Sequence, residues 1–159
     1  MTQKTKLVTL IAVIIGIVGI WYFFNRGPQP EYDFTSIAFK KTGEIVQVYV
    51  PKNEAASILG LGGRDVLPED YGMFWHFSTP RKPVFTMHGM RIPLDFLWLK
   101  DGKIAEITSS VSTGVDTLSP SVDITGVLEV NSGYAAKRGL KAGDEALIMG
   151  ESWPADTGN

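Results

Sequence analysis

The sequence predicts a small, mainly β domain, either a β-sandwich or a partly closed barrel, with one or two short helices and a preceding transmembrane helix. Beyond residue 33, short apolar or β-branched segments recur, and turns rich in Gly, Asp and Pro separate them. Before that point, one uncharged apolar run is close to the roughly 20 residues that cross a bilayer core. With 159 residues, 44% of them hydrophobic, the chain has enough material for one compact domain and an anchor.

The apolar run begins at Leu7 and ends at Phe24, and it has the features of an uncleaved anchor. Aromatic residues stand at its end, where membrane interfaces favour them. A cleaved signal peptide followed by secretion is less favoured, because a small-x-small site does not follow the run. Since Lys4 and Lys6 precede the run and Arg26 alone follows it, we expect a single-pass cell-membrane protein with a cytoplasmic amino terminus and an extracytoplasmic domain.

Changes in composition divide the chain into four parts. Residues 1–26 form the cytoplasmic stub and the anchor, residues 27–32 a proline-containing linker, residues 33–150 the soluble β domain, and residues 151–159 a tail. Cysteine is absent from the sequence, which excludes disulfides and thiolate metal sites. The net charge of -2 leaves no basic stripe for nucleic acid, so the predicted partners are the lipid bilayer and a small ligand or envelope component.

The first part of the domain combines a hairpin with a short helix. Residues 34–40 and 44–50 are predicted as paired strands around a Lys-Thr-Gly turn. Asn53 is expected to cap a helix over residues 55–61, which the glycine pair at 62–63 would end.

The rest of the domain is predicted to be β in character. Met73, Trp75 and Phe77 share one side of a strand, and a turn-rich loop follows over residues 78–83. A long polar loop is expected over 109–121, and a helical turn over 134–138. The further predicted strands are residues 84–88, 94–99, 103–108, 127–130 and 146–149.

Three motif blocks occur in a fixed order along this domain. They are Leu-Pro-Glu-Asp-Tyr-Gly-Met-Phe at 67–74, Met-His-Gly-Met-Arg-Ile-Pro-Leu-Asp at 87–95, and Val-Leu-Glu-Val at 127–130 with Gly-Leu-Lys-Ala-Gly-Asp at 139–144. Together they resemble the family called domain of unknown function 192 over roughly residues 44–149. The resemblance implies a jelly-roll-like β fold and brings no established activity.

Asp95 is the first candidate for a functional side chain. It shares a strand side with Leu97 and Leu99, and a carboxylate aligned with apolar residues needs a partner. It is either a polar group in a pocket or a structural aspartate that accepts backbone N–H bonds near the turn before Pro93.

His76 and His88 are the two histidines of the chain, and they could meet at a metal with Asp95 or Glu129 as a third ligand. We do not expect a metal site, because the sequence lacks a closely spaced histidine pair, and we expect no other cofactor.

Two arginines and the aromatic residues complete the candidates. Arg64, which matches an arginine of the family motif, and Arg91 could clamp a ligand carboxylate or phosphate. Arg64 could equally tie the helix end to Glu69 or Asp70. Three rings could stack on a sugar or simply pack in the core, and these are Tyr71, Trp75 and Trp98.

Two functions from different classes fit these observations. The first is a membrane-anchored, non-catalytic domain that binds a small ligand, a glycan or an envelope protein in one pocket. The residues expected to line that pocket are Arg64, Trp75, His88, Arg91 and Asp95. The alternative is a hydrolase-like enzyme acting on cell-envelope material, with Asp95 and either Glu69 or Glu129 as acid and base. A recognisable catalytic set is missing from the sequence, so the first function is preferred.

Overall fold

The computed structural model describes residues 3–24 and 27–149. Over these residues the domain is mainly β, and its strands form one curled seven-stranded sheet, a half-barrel, with few short helices. The elements in chain order are α1 (Gln3–Phe24), β1 (Tyr32–Phe39), β2 (Ile45–Pro51), α2 (Glu54–Leu59), β3 (Tyr71–Arg81), β4 (Leu94–Lys100), β5 (Lys103–Val111), β6 (Ile124–Asn131), α3 (Tyr134–Lys137) and β7 (Ala146–Met149).

The strand order in the sheet is β5-β4-β6-β3-β2-β1-β7. Neighbouring strands are antiparallel except β2 and β3, which are parallel and pair through residues 47–49 and 71–73. The described strands therefore match the partly closed barrel rather than the two separate sheets of a sandwich.

A hydrophobic core lies on each face of the sheet. The first core includes Phe74 and Leu128 together with Tyr134 from α3. The second core includes Met73 and Trp98 and is covered by the segments that connect the strands. Neighbouring residues of β3 thus enter opposite cores, as the alternation of side chains along a strand requires. This confirms the predicted division of β3 into two sides.

The hairpin, the helix cap and the last strand are confirmed. β1 and β2 pair antiparallel, and β7 has the predicted bounds. The Asn53 side chain accepts a hydrogen bond of 2.9 Å from the backbone N–H of Ala56. The prediction of where α2 ends was wrong by two residues, because Gly60, with φ of 54°, already stops the helix after Leu59.

Other predictions in the middle of the domain were also wrong. β6, predicted over residues 127–130, begins at Ile124 and ends at Asn131. β3 continues through the predicted loop to Arg81, which regains pairing with Ile124 of β6 after an irregular register. β5 extends to Val111 because that residue pairs with Leu94. The predicted strand at 84–88 is reduced to an isolated bridge between Phe85 and Leu118.

Helix α1 spans the predicted apolar run, and its large apolar side chains from Val8 to Phe23 are exposed. No helix among the described residues reaches the length and hydropathy that a membrane crossing requires. Arg26 and the predicted tail at 151–159 lie outside the described residues.

Candidate functional site

Glu129 is a buried carboxyl at the centre of the sheet. It lies on β6, whose residues from Ile124 to Val130 are all buried. Glu129 pairs in register with Met73 of β3 and with Phe96 of β4, so its side chain points to the second core. The residue is 5% exposed. Among the described residues, nothing hydrogen-bonds to its carboxyl or forms an ion pair with it, and burial raises the pKa of this carboxyl to about 8.

The Glu129 side chain lines a cavity of about 420 Å³, which we call the Glu129 cavity. α2 and the residues just after it form one side, and β3 and the connecting segment 83–90 form the other. The side chains that matter most for its chemistry are Trp75, Phe77, Arg81, Phe85, His88 and Met90. The cavity is therefore mostly apolar and aromatic, with a single carboxyl among its lining residues.

The aromatic wall of this cavity is held in place by its neighbours. The Phe85 ring lies 5.2 Å from the Trp75 ring, 5.8 Å from Phe96 and 5.7 Å from Trp98, each in an edge-to-face arrangement. The backbone of Phe85 is fixed by two hydrogen bonds of 2.9 Å with Leu118. Because the rings support one another, the wall is formed before any ligand arrives.

The structure brings two of the five predicted pocket residues together. Trp75 and His88 both line the Glu129 cavity. Arg64 lies elsewhere, with its guanidinium carbon 4.5 Å from the centre of the Tyr49 ring. Arg91 is exposed and forms an ion pair of 3.0 Å with Asp65.

The fifth residue, Asp95, points into the opposite face of the sheet and has the structural role. Its Oδ1 accepts hydrogen bonds from the backbone N–H groups of Ser110 at 2.8 Å and Gly133 at 3.0 Å. Its Oδ2 accepts a third, of 3.0 Å, from Ala135. The residue is fully buried, so its carboxylate joins β4 to β5 and to the start of α3. These donors lie in segments other than the predicted turn before Pro93.

The predicted pairing of Arg64 with nearby acids is not formed among the described residues. Asp70 instead accepts a hydrogen bond of 2.7 Å from Arg138, and Glu69 pairs with Lys137. These acids thus connect the start of β3 to α3 and leave Arg64 on its aromatic ring.

The two histidines line different cavities. His88 lines the Glu129 cavity, whereas His76 lines a second cavity of about 770 Å³ with Phe34 of β1 and Ile148 of β7. Within residues 3–24 and 27–149, no group of three or more His, Asp or Glu side chains could hold a metal ion.

Trp98, one of the three rings predicted either to stack on a sugar or to pack in the core, packs in the core. It is fully buried in the second core and donates a hydrogen bond of 2.8 Å from its indole N–H to Thr108. Trp75, which is half-buried, is the tryptophan that lines the cavity.

Sequence reasoning placed Glu129 among the possible metal ligands and catalytic carboxylates but left it out of the pocket. The signal that could have found it is its position as the single acid in the apolar stretch from Ile124 to Val130. A carboxyl that interrupts a strand buried on both faces must have a partner or hold a proton.

Replacing Glu129 by Gln is expected to flatten the dependence of stability on pH. The carboxyl loses its proton near its ordinary pKa of 4.5 when the chain is unfolded, but near 8 when it is folded. The folded state therefore retains a proton that the unfolded state has released, so the free energy of unfolding falls as pH rises between these values. The slope reaches at most about 1.4 kcal/mol per pH unit. Urea unfolding of the native chain and of Glu129→Gln at several values of pH measures this slope. If the free energy of unfolding depends on pH equally in both proteins, the expectation is wrong.

Comparison with known proteins shows a family and a fold. The family model for domain of unknown function 192, described as an uncharacterized ACR, matches residues 37–148. A crystallised protein of unknown function from Novosphingobium aromaticivorans is similar, with 23% identity and a TM-score of 0.65, over 76% of this chain and 94% of that one. A protein from Sinorhizobium meliloti, provisionally described as a transcription regulator, has 22% identity and a TM-score of 0.67, over 79% of this chain and 100% of that one. None of the curated proteins matches this chain.

Proposed function

This chain belongs to the family of domain of unknown function 192, and we propose that its β domain is a non-catalytic module that binds a small ligand in the Glu129 cavity. The observation that carries the proposal is the buried Glu129 carboxyl, which lacks a hydrogen-bond partner among the described residues and lines a cavity. Leaving a buried polar group unpaired is costly, so a ligand that completes its hydrogen bonds gains affinity from it.

The dimensions and the walls of the cavity support the same function. Its volume of about 420 Å³ suits a small molecule better than a glycan chain or a protein segment. The rings of Trp75 and Phe85 offer apolar area in a fixed arrangement, which lowers the entropic cost of binding.

The hydrolase-like alternative is less well supported. It requires Asp95 to exchange a proton with a substrate, but both oxygens of this carboxylate accept backbone hydrogen bonds, and the residue is fully buried. Geometry must place a general acid or base within reach of the substrate, and Asp95 does not line the Glu129 cavity.

Binding in this cavity is expected to depend on Trp75. A screen of small apolar and amphipathic compounds against the full chain, read as a rise in Tm, should identify stabilising ligands. Replacing Trp75 by Ala should weaken their binding about tenfold or more, since one wall of the cavity is removed. The matched control is Phe34→Ala, which removes a ring from the second cavity and should leave affinity unchanged. The proposal is wrong if the ligands bind Trp75→Ala as tightly as they bind the native chain. It is also wrong if no compound in the screen raises the Tm.

We further propose that the apolar run of residues 7–24 tethers the domain to a membrane, with the amino terminus in the cytoplasm and the domain outside, even though α1 falls below the length and hydropathy that define a crossing helix. Support comes from the uncharged run that ends at Phe24 and from the lysines that precede it. The large apolar side chains that α1 exposes also need an apolar surrounding. Protease treatment of intact cells tests the orientation. Digestion of the domain from outside is expected, and digestion from the cytoplasmic side alone would contradict it.

A further inference from the structure

The proposed function leaves the chemistry of the ligand open. Resting on that function, we infer that the Glu129 cavity takes an organic cation, an ammonium group on a small apolar body, whose charge lies against the Glu129 carboxylate and the neighbouring aromatic rings.

The first argument is the missing counter-charge. Glu129 forms no ion pair within the part of the chain that the structure describes. The lining contains one arginine, Arg81, an exposed residue whose guanidinium carbon lies 4.2 Å from the centre of the Phe77 ring. A buried carboxylate is strongly disfavoured without a positive partner. A cationic ligand can supply that partner, whereas an anionic ligand would disfavour ionisation of the carboxyl still further.

The second argument is the aromatic wall. The faces of aromatic rings carry partial negative charge and attract ammonium groups, most strongly when both are removed from water. Trp75 and Phe85 line the same cavity as Glu129, so a cation bound there is enclosed by an aromatic wall. A sugar would instead require many hydrogen-bonding groups. The mostly aromatic and aliphatic lining therefore favours an apolar cation.

Binding of such a cation should be coupled to the loss of a proton. Burial raises the pKa of Glu129 to about 8, so the empty cavity holds a neutral carboxyl at neutral pH. An ammonium group stabilises the carboxylate, and its affinity should therefore rise with pH, by up to about tenfold per unit, until the carboxyl is ionised.

The other groups that face the cavity are few. Arg81 comes from β3 and His88 from the connecting segment, whereas α2 contributes the uncharged residues 57–59. On the neighbouring strands β3 and β4, the residues in register with Glu129 are Met73 and Phe96, which are also uncharged. Apart from Glu129, the charged or titratable side chains of the described lining are thus Arg81 and His88.

The experiment compares cations with uncharged molecules of the same shape. Each compound is titrated into the full chain in a calorimeter at several values of pH. The affinity for choline is compared with that for 3,3-dimethylbutan-1-ol, and the affinity for benzylamine with that for benzyl alcohol. Choline carries a permanent charge, so a dependence of its affinity on pH reports on the protein. We expect each cation to bind about tenfold or more tightly than its neutral counterpart above pH 8.

Variants separate the carboxyl from its surroundings. Glu129→Gln should abolish the dependence on pH and the preference for cations, so that each cation binds no more tightly than its neutral counterpart. Glu129→Asp should keep the preference, and His88→Gln should leave the dependence on pH in place. If neutral compounds bind as well as cations but still require Trp75, the proposed function stands and this inference is wrong. If Glu129→Gln binds the cations as tightly as the native chain does, this inference is also wrong. If no compound of either charge binds, the proposed function itself fails.

Discussion

Replacing Asp95 by Ala is expected to lower the free energy of unfolding by about 4 kcal/mol, because three backbone N–H groups, in partly or fully buried bonds, lose their acceptor at once. The donors belong to β5 and to the start of α3, and the carboxylate holds both against β4. Urea denaturation of the full chain, followed by tryptophan fluorescence, measures the loss. It should appear as a lower midpoint with an unchanged slope.

Two further variants define what the Asp95 carboxylate does. Asp95→Asn keeps one acceptor oxygen, which can retain the bonds to Ser110 and Gly133, but it places an amide donor against the Ala135 N–H. We therefore expect roughly half the loss of the Ala variant. The matched control is Asp116→Ala, at an exposed loop position, with a change within about 0.5 kcal/mol. A loss below about 1 kcal/mol in Asp95→Ala would show that the network contributes little.

The second large effect is expected at Gly72, in the middle of the sheet. A Cβ atom at this position would lie 2.5 Å from the backbone oxygen of Glu129 and 3.1 Å from Cγ1 of Val130. The first of these atoms belongs to the backbone of a central strand and cannot move aside without disturbing both ladders. Gly72→Ala should therefore destabilise the domain by about 3 kcal/mol.

Gly114 provides the matched control for this substitution. No heavy atom of the described residues lies within 4 Å of a Cβ built there, so Gly114→Ala adds the same methyl group without a clash. Its free energy of unfolding should stay within about 0.5 kcal/mol of that of the native chain. Comparable stability of the two alanine variants would contradict the expected crowding at Gly72.

The alternation of side chains made several strands predictable, because a strand buried on both faces still sends neighbouring residues to opposite sides. β3 follows this rule, with Met73 in one core and Phe74 in the other. The segment 84–88 shows the same pattern, yet it forms only an isolated bridge at Phe85. A segment forms a strand only where a neighbouring strand offers an unpaired edge along its whole length. The local sequence does not show whether such an edge is available.

The candidate site shows a similar limit. Alternation separates Asp95 from the aromatic residues of β4, but it does not tell which side of the sheet retains a cavity. The side chains of Leu97 and Leu99 fill the first core around Asp95. On the opposite face, Trp75 and Glu129 line open space. That difference depends on how α2 and the segment 83–90 lie over the sheet, which is a matter of long-range packing.

The parallel pairing of β2 with β3 also affects how the sheet can move. Three described register pairs, at residues 47–49 and 71–73, join strands β2, β1 and β7 to the other four strands on one side, and a bridge between Lys103 of β5 and Glu145, just before β7, joins them on the other. The Glu129 cavity is lined by α2, which follows β2, and by β3 on the other side of this junction. An occupant of the cavity therefore contacts elements from both halves, and we expect its arrival to stiffen the junction and restrict the flexing of one half of the sheet against the other.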